Sequence, residues 1–83
     1  MREPETKEQK FLIDGIIADL AFYLVEDDGM TVNDALNTVY NSDYYHLLNN
    51  IDTELYLRGS LNNYHYLRRE LDSKKPSATV SLG

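Results

Sequence analysis

The fold is decided by residues 6–29, TKEQKFLIDGIIADLAFYLVEDDG, which contain the longest apolar-rich run of the chain. Thr6 has the side chain of a helix N-cap, and Gly29 supplies the left-handed residue that commonly ends a helix. The sequence therefore predicts a first helix that runs to about residue 28. At 100° per residue, its predicted core face holds Leu12, Ile13, Ile16, Ile17, Leu20, Tyr23 and Leu24.

The opposite face of this helix is also apolar. It carries Phe11, Ala18, Phe22 and Val25, interleaved with Asp14, Gly15, Asp19 and Glu26. A helix that is apolar on nearly all sides is normally buried among several neighbours, and a chain of 83 residues offers few of them. The second face is therefore apolar surface in excess of what the core requires.

Three shorter helices are predicted downstream, with Thr31, Ser42 and Ser60 as their N-caps. A turn or short helix is expected at residues 52–57, and the last helix is expected to end near residue 72. The apolar positions predicted to face the core are Val32, Ala35, Leu36, Val39 and Tyr40, then Tyr44, Leu47, Leu48 and Ile51, and finally Leu61, Tyr64, Leu67 and Leu71.

These patterns predict an all-α fold, a small irregular bundle of three main helices plus one or two short helices. Residues 6–72 form its single domain. Residues 1–5 are expected to be a frayed N-terminus, and residues 73–83 a mobile C-terminal tail, because both segments contain proline and lack an apolar period.

Charge is distributed unevenly along the chain, whose net charge is −6. Residues 11–57 contain nine acids and no Lys or Arg, so a DNA-reading helix-turn-helix in this region is excluded by repulsion from phosphates. The acids of residues 26–28 lie just before the second helix, where negative charge interacts favourably with the helix dipole. Alternatively, they form a patch for a basic partner. A weaker nucleic-acid alternative uses the basic C-terminal residues Arg58, Arg68, Arg69, Lys74 and Lys75.

No enzyme, metal or cofactor signature is present in the sequence. There is no cysteine, and His46 and His65 have no second histidine at i+4 and lie in no HExxH pattern. The serines and glycines lie in no nucleophile or phosphate-binding motif. We therefore assign no catalytic, cofactor-binding or metal-ligating residue. No secretion signal or bilayer-spanning run is evident, which predicts a cytoplasmic protein without membrane attachment.

Tyrosine is abundant, with seven residues against two phenylalanines and no tryptophan. Tyr40, Tyr44 and Tyr64 fall on predicted core stripes, whereas Tyr45 and Tyr66 point away from them. Exposed aromatic side chains are typical of protein interfaces, unless they pack beneath the connections of the fold. The predicted partner-interface residues are Phe11, Phe22, Tyr45, Tyr56 and Tyr66.

The sequence resembles a family of short helical bacterial proteins that carry a domain-of-unknown-function label and are common in gut Bacteroidetes and Firmicutes. The resemblance spans roughly residues 7–71. Its residues are Phe11-Leu12, Asp19-Leu20-Ala21, Leu24, Glu26-Asp27, Gly29-Met30-Thr31, Ala35-Leu36, Tyr40, Ser42-Asp43, Leu48, Leu55-Tyr56, Ser60, Tyr64, Tyr66, Leu67 and Glu70. Family members often have Ser-Pro before the last helix, where this chain has Gly59-Ser60-Leu61.

The resemblance implies a cytoplasmic all-helical protein with no catalytic residues, encoded beside toxin-like genes. Together with the excess aromatic surface, it predicts a non-enzymatic protein-interaction module, an antitoxin-like or accessory partner of a neighbouring gene product. The first alternative is a homodimer that pairs through Phe11, Ala18, Phe22 and Val25 of the first helix. The second is nucleic-acid binding through the basic C-terminal residues.

Overall fold

The computed structural model describes residues 2–74, and every regular element in that range is helical. The elements are α1 (Lys7–Asp28), α2 (Val32–Tyr40), α3 (Asp43–Asn49), two 3₁₀ turns (Ile51–Thr53 and Leu55–Leu57) and α4 (Ser60–Ser73). The predicted all-α class and small irregular bundle are thus confirmed. Of the tail predicted to be mobile, Ser73 ends α4 and Lys74 is its C-cap, and the remainder lies outside the described residues.

Most helix ends are where the local sequence predicts them. Thr6 and Gln9 form a reciprocal capping box at the start of α1, and Gly29 ends that helix with a φ of 68°. Thr31 accepts a hydrogen bond from a first-turn backbone N–H of α2, and Ser42 does the same for α3. These devices act within four residues, so the sequence reveals them directly.

Ser60 is not the N-cap of α4, and this prediction is wrong. Gly59, with an extended backbone, is the N-cap, and Ser60 is the first helical residue. The Ser60 hydroxyl instead donates to the carboxylate of Asp19, with 2.5 Å between Oγ and Oδ2. The side chain that the local pattern assigns to capping therefore makes a tertiary hydrogen bond instead. This bond connects the start of α4 to the middle of α1.

The core is built around α1, which packs most extensively against α2 and also contacts α4 and the second 3₁₀ turn. Six α1 residues are buried, and Leu20 and Leu24 among them are fully enclosed. The other helices and the second turn complete the cluster with Ala35, Val39, Tyr44, Leu48, Leu55, Tyr64 and Leu67.

Five residues predicted to face the core lie on the surface instead. Leu12, Val32, Tyr40, Leu47 and Leu61 are each between 43% and 61% exposed. A helix in so small a bundle is covered over only part of its circumference, so residues at the edge of an apolar stripe remain in solvent. Periodicity identifies the stripe, but it does not say how wide the covered part is.

A buried polar cluster joins α4 to the turns and to α3. Asn63 is fully buried, and its Nδ2 donates to the backbone carbonyls of Leu55, Arg58 and Gly59 at 2.9–3.1 Å. Its Oδ1 accepts a hydrogen bond from the hydroxyl of Tyr44. Burial raises the pKa of the Tyr44 hydroxyl, which keeps it protonated as the donor. One side chain therefore holds the irregular connection between α3 and α4.

Glu70 caps α3 from another helix. Its carboxylate accepts the backbone N–H groups of Asp43 and Tyr44 at 2.8 and 2.7 Å, and Lys74 donates to it at 2.8 Å. Burial favours a higher pKa for Glu70, but the hydrogen bonds from Lys74 and from the two N–H groups outweigh it, so the pKa is lowered. The carboxylate thus stays charged where the positive end of the α3 dipole lies.

Replacing Glu70 with glutamine is expected to lower the free energy of unfolding by about 2 kcal/mol at pH 7, because charge-assisted hydrogen bonds are lost. The folded-state pKa lies below the ordinary value of 4.5, so this stabilisation is present above pH 4.5 and is lost as the pH falls further. Urea unfolding at several pH values measures both effects.

The variant E70Q should therefore show a flatter loss of stability below pH 4.5 than the parent protein. The matched control is Glu54→Gln, an exposed acid of the connection between the two 3₁₀ turns. A parallel pH dependence for E70Q and the parent protein would contradict the assigned role of Glu70.

The N-terminal segment contacts the end of α3, which the prediction of a frayed terminus did not anticipate. The backbone of Arg2 pairs with Asn50 and Ile51, and its guanidinium contacts the carboxylates of Glu5 and Asp52 at 2.9 and 3.0 Å. These ion pairs are half-exposed and contribute little to stability.

Candidate protein-interaction surface

The outward face of α1, opposite the residues that it buries, is an exposed apolar strip. We call it the α1 stripe, and it consists of Phe11, Gly15, Ala18, Phe22 and Val25. Phe11 is 77% exposed and Phe22 is 59% exposed, while Val25 is half-buried. The residues follow one another in steps of four, three, four and three, which is the spacing of a seam between two packed helices.

Gly15 lies between the two phenylalanines, in the interior of a 22-residue helix. Glycine at such a position costs about 1 kcal/mol relative to alanine. Apart from its chain neighbours and the backbone of its own helix, a Cβ atom at residue 15 would meet no atom within 4 Å. The packing of the chain therefore gives no reason for glycine here, and its absent side chain leaves room for a close approach from outside.

On one side, the α1 stripe continues onto α2. A shallow cleft of about 260 Å³ separates the two helices. Val32, which is 61% exposed, and the half-buried Leu36 form its α2 wall. Every lining side chain is apolar, so this cleft extends the stripe into a surface two helices wide.

On the other side, a groove of about 350 Å³ separates α1 from the second 3₁₀ turn. Phe11 and Gly15 line one wall, and Leu57, which is 62% exposed, lines the other. The hydrogen bond between Ser60 and Asp19 lies at one end of this groove. The exposed apolar surface therefore spans α2, α1 and the second turn.

Acidic residues interrupt and border this surface. Asp14, Asp19 and Glu26 are exposed between the apolar positions of α1. Basic residues of this helix occur only near its start, at Lys7 and Lys10, and its last turn has none. Because Glu8 lies between the two lysines, residues 7–10 have a net charge of 2 − 1 = +1, and the rest of the helix is negative.

Two acids at the end of α1 are engaged by α4. The Tyr64 hydroxyl donates to Asp27 at 2.7 Å, and Arg68 contacts the Asp28 carboxylate at 2.9 Å. The hydrogen bond with Tyr64, followed by those with Asp28 and Asp72, raises the pKa of the Arg68 guanidinium. These contacts give the two acids a role within the fold.

The five predicted interface residues do not form one surface. Phe11 and Phe22 lie on the α1 stripe, and Tyr56 is half-buried beside Phe11, with its hydroxyl accepting from Gln9 at 3.4 Å. Tyr45 is half-buried against the core on another side, edge-on to Tyr40 with ring centroids 5.3 Å apart. Tyr66 is 42% exposed on α4.

Sequence reasoning did not place Val32 and Leu57 on this surface, and it named Gly15 only as a residue interleaved with the apolar positions of α1. Val32 was predicted to be buried, and Leu57 was assigned only to a short turn. A signal for Gly15 was present in the four-three spacing that it completes between Phe11 and Ala18. No local signal marks Val32 or Leu57, because their neighbours on the surface come from another element.

The basic C-terminal residues are partly neutralised within the fold. Arg68 pairs with Asp28 and Asp72, and Lys74 pairs with Glu70 and Asp43. The described residues form no ion pair with Arg58 or Arg69, which line one shallow groove. Lys75 lies outside the described residues. The predicted set of five cations is therefore not one free basic patch.

Nowhere in residues 2–74 do three or more His or acidic side chains converge as the ligands of a metal ion. In the same range, no helix has both the length and the hydropathy required to cross a bilayer. Comparison with the models of known protein families, with curated proteins and with solved structures finds no match to this chain.

Proposed function

We propose that this protein is a non-enzymatic interaction module that binds a protein partner through the α1 stripe. The observation that carries the proposal is the exposure of Phe11 and Phe22 on the helix whose other side supplies much of the core. Aromatic anchors of this kind contribute most of the energy of an interface, since their large surfaces leave water on binding.

The shape of the surface favours an apolar helix as the bound element. The cleft between α1 and α2 is lined only by apolar side chains, and such grooves accept amphipathic helices. The exposed acids of α1 favour basic residues at the rim of the partner. They also disfavour an anionic membrane as the binding surface, because membrane-binding helices carry Lys and Arg around their apolar face.

The resemblance to proteins encoded beside toxin-like genes supports a more specific role. We propose that the protein acts in the cytoplasm as an antitoxin-like or accessory partner of a neighbouring gene product. A small acidic domain with an apolar strip has a suitable shape to cover a functional site on such a protein.

Co-expression with the neighbouring gene product, followed by size-exclusion chromatography, tests this proposal. The two chains are expected to elute together. Replacement of Phe22 by serine is expected to weaken the complex at least tenfold, on the order expected for an aromatic anchor. The matched control is Tyr66→Ser, which removes an exposed aromatic ring outside the stripe.

Separate elution of every neighbouring product would refute the antitoxin-like role. A complex that F22S and Y66S weaken equally would refute the assignment of the α1 stripe as the binding surface.

A further inference from the structure

We infer that the α1 stripe binds the α1 stripe of a second copy of this chain, and that the two helices run antiparallel. This inference rests on the proposed function, because it concerns the same surface, which the second copy covers when no other protein partner is bound. Three features of α1 support it: the order of large and small residues, the unexplained glycine and the charges at the helix ends.

The order of residue sizes along the stripe is self-complementary in the antiparallel direction. With a two-fold axis midway between Gly15 and Ala18, Phe11 lies level with the partner's Phe22, and Gly15 lies level with the partner's Ala18. The small residues are then at the centre, where they allow the helix axes to approach. One aromatic pair flanks this small centre on each side, and Val25 lies beyond Phe22, level with the partner's Glu8.

Antiparallel pairing explains why residue 15 is a glycine. A side chain at residue 15 would be accommodated by the isolated chain, since no atom lies within 4 Å of its Cβ position apart from its chain neighbours and the backbone of its own helix. In the pair of helices, the same side chain would enter the space that the partner's Ala18 occupies. The cost of glycine to the helix is thus offset by closer contact between two copies.

The charges at the ends of α1 select the antiparallel direction. Around the same axis, Lys7 of one copy lies level with the partner's Glu26, within the acidic run of residues 26–28. Parallel pairing would instead place both acidic runs together, with no basic residue in the last turn of either helix to compensate. It would also align the two helix dipoles unfavourably.

Sedimentation equilibrium of the purified protein tests the self-association. A dimer is expected at micromolar concentrations, and F22S is expected to raise its dissociation constant at least tenfold, whereas Y66S leaves it unchanged. Gly15→Leu separates binding from folding. It should raise the unfolding temperature of the monomer, because leucine is the better helix former, yet weaken the dimer at least tenfold.

Spin labels determine the direction of the helices. The chain has no cysteine, so Lys7→Cys provides a single labelling site. Antiparallel pairing separates the two labelled positions by 19 residues along the helix axis, about 28 Å. Parallel pairing brings them to about 10 Å. Double electron–electron resonance measures the long distance, and dipolar broadening of the continuous-wave spectrum reveals the short one.

A dimer with the long distance, lost in G15L and F22S, would support the inference. A dimer with the short distance, or one insensitive to G15L, would overturn it. A monomer that still binds the neighbouring gene product through Phe22 would also overturn the inference, while leaving the proposed function in place. A monomer that binds no neighbouring product would overturn both.

Discussion

Replacing Asn63 with leucine is expected to lower the free energy of unfolding by about 3 kcal/mol. The change leaves the Tyr44 hydroxyl without its acceptor and removes the donor shared by three backbone carbonyls. Each buried group without a partner costs about 1–3 kcal/mol. A domain of this size is stable by only about 4–12 kcal/mol, so the loss is a large fraction of the total.

Urea unfolding of N63L and of the neighbouring control Asn62→Leu measures this effect. Asn62 is exposed, so its replacement should change the free energy by about 0.5 kcal/mol or less. Equal effects for the two variants would show that the buried cluster is not needed. The double variant with Tyr44→Phe adds a further check, because the two changes remove the same hydrogen bond and their effects should not be additive.

Replacing Leu24 with alanine is expected to destabilise the fold by about 3 kcal/mol, through lost burial and the cavity that remains. Leu24 is a residue of α1 and is fully buried in the core. The matched control is Leu12→Ala in the same helix. Leu12 belongs to the same predicted core face but is 43% exposed, so its replacement should cost less than about 1 kcal/mol.

Thermal and urea unfolding of L24A and L12A compare the two ends of the predicted core face of α1 directly. A loss for L12A as large as that for L24A would mean that the N-terminal part of α1 is covered, contrary to the structure. That result would also weaken the case for an interaction surface beside Phe11, since Leu12 lines the same groove.

The positions of α1, α2 and α3 could be predicted from the sequence because their signals are local. A cap such as Thr6 bonds to an N–H only three residues away, and Gly29 needs no distant partner to adopt its left-handed conformation. The prediction was wrong at Ser60 because Asp19, 41 residues away, binds that hydroxyl. Local patterns contain no information about such a competitor.

The candidate surface was predicted only in part. Phe11 and Phe22 were correctly expected to lie opposite the core, because the angle between residues within one helix follows from its period. Tyr45, Tyr56 and Tyr66 lie on shorter elements whose orientation depends on neighbours, and the structure places Tyr56 beside Phe11 but Tyr45 and Tyr66 elsewhere. The other residues of the surface around the two phenylalanines depend on which elements pack beside α1, and the sequence does not specify that packing.

The sequence by itself determined that the chain is helical, where α1–α3 begin, and that α1 has more apolar surface than one small core can cover. These properties follow from the composition and from interactions within a few residues. Only the tertiary structure decided which edges of the apolar stripes are covered. It also decided that two α4 residues, Asn63 and Glu70, form hydrogen bonds with α3. The physical reason is that these contacts join residues 19 to 27 positions apart, whose proximity depends on packing of the whole bundle.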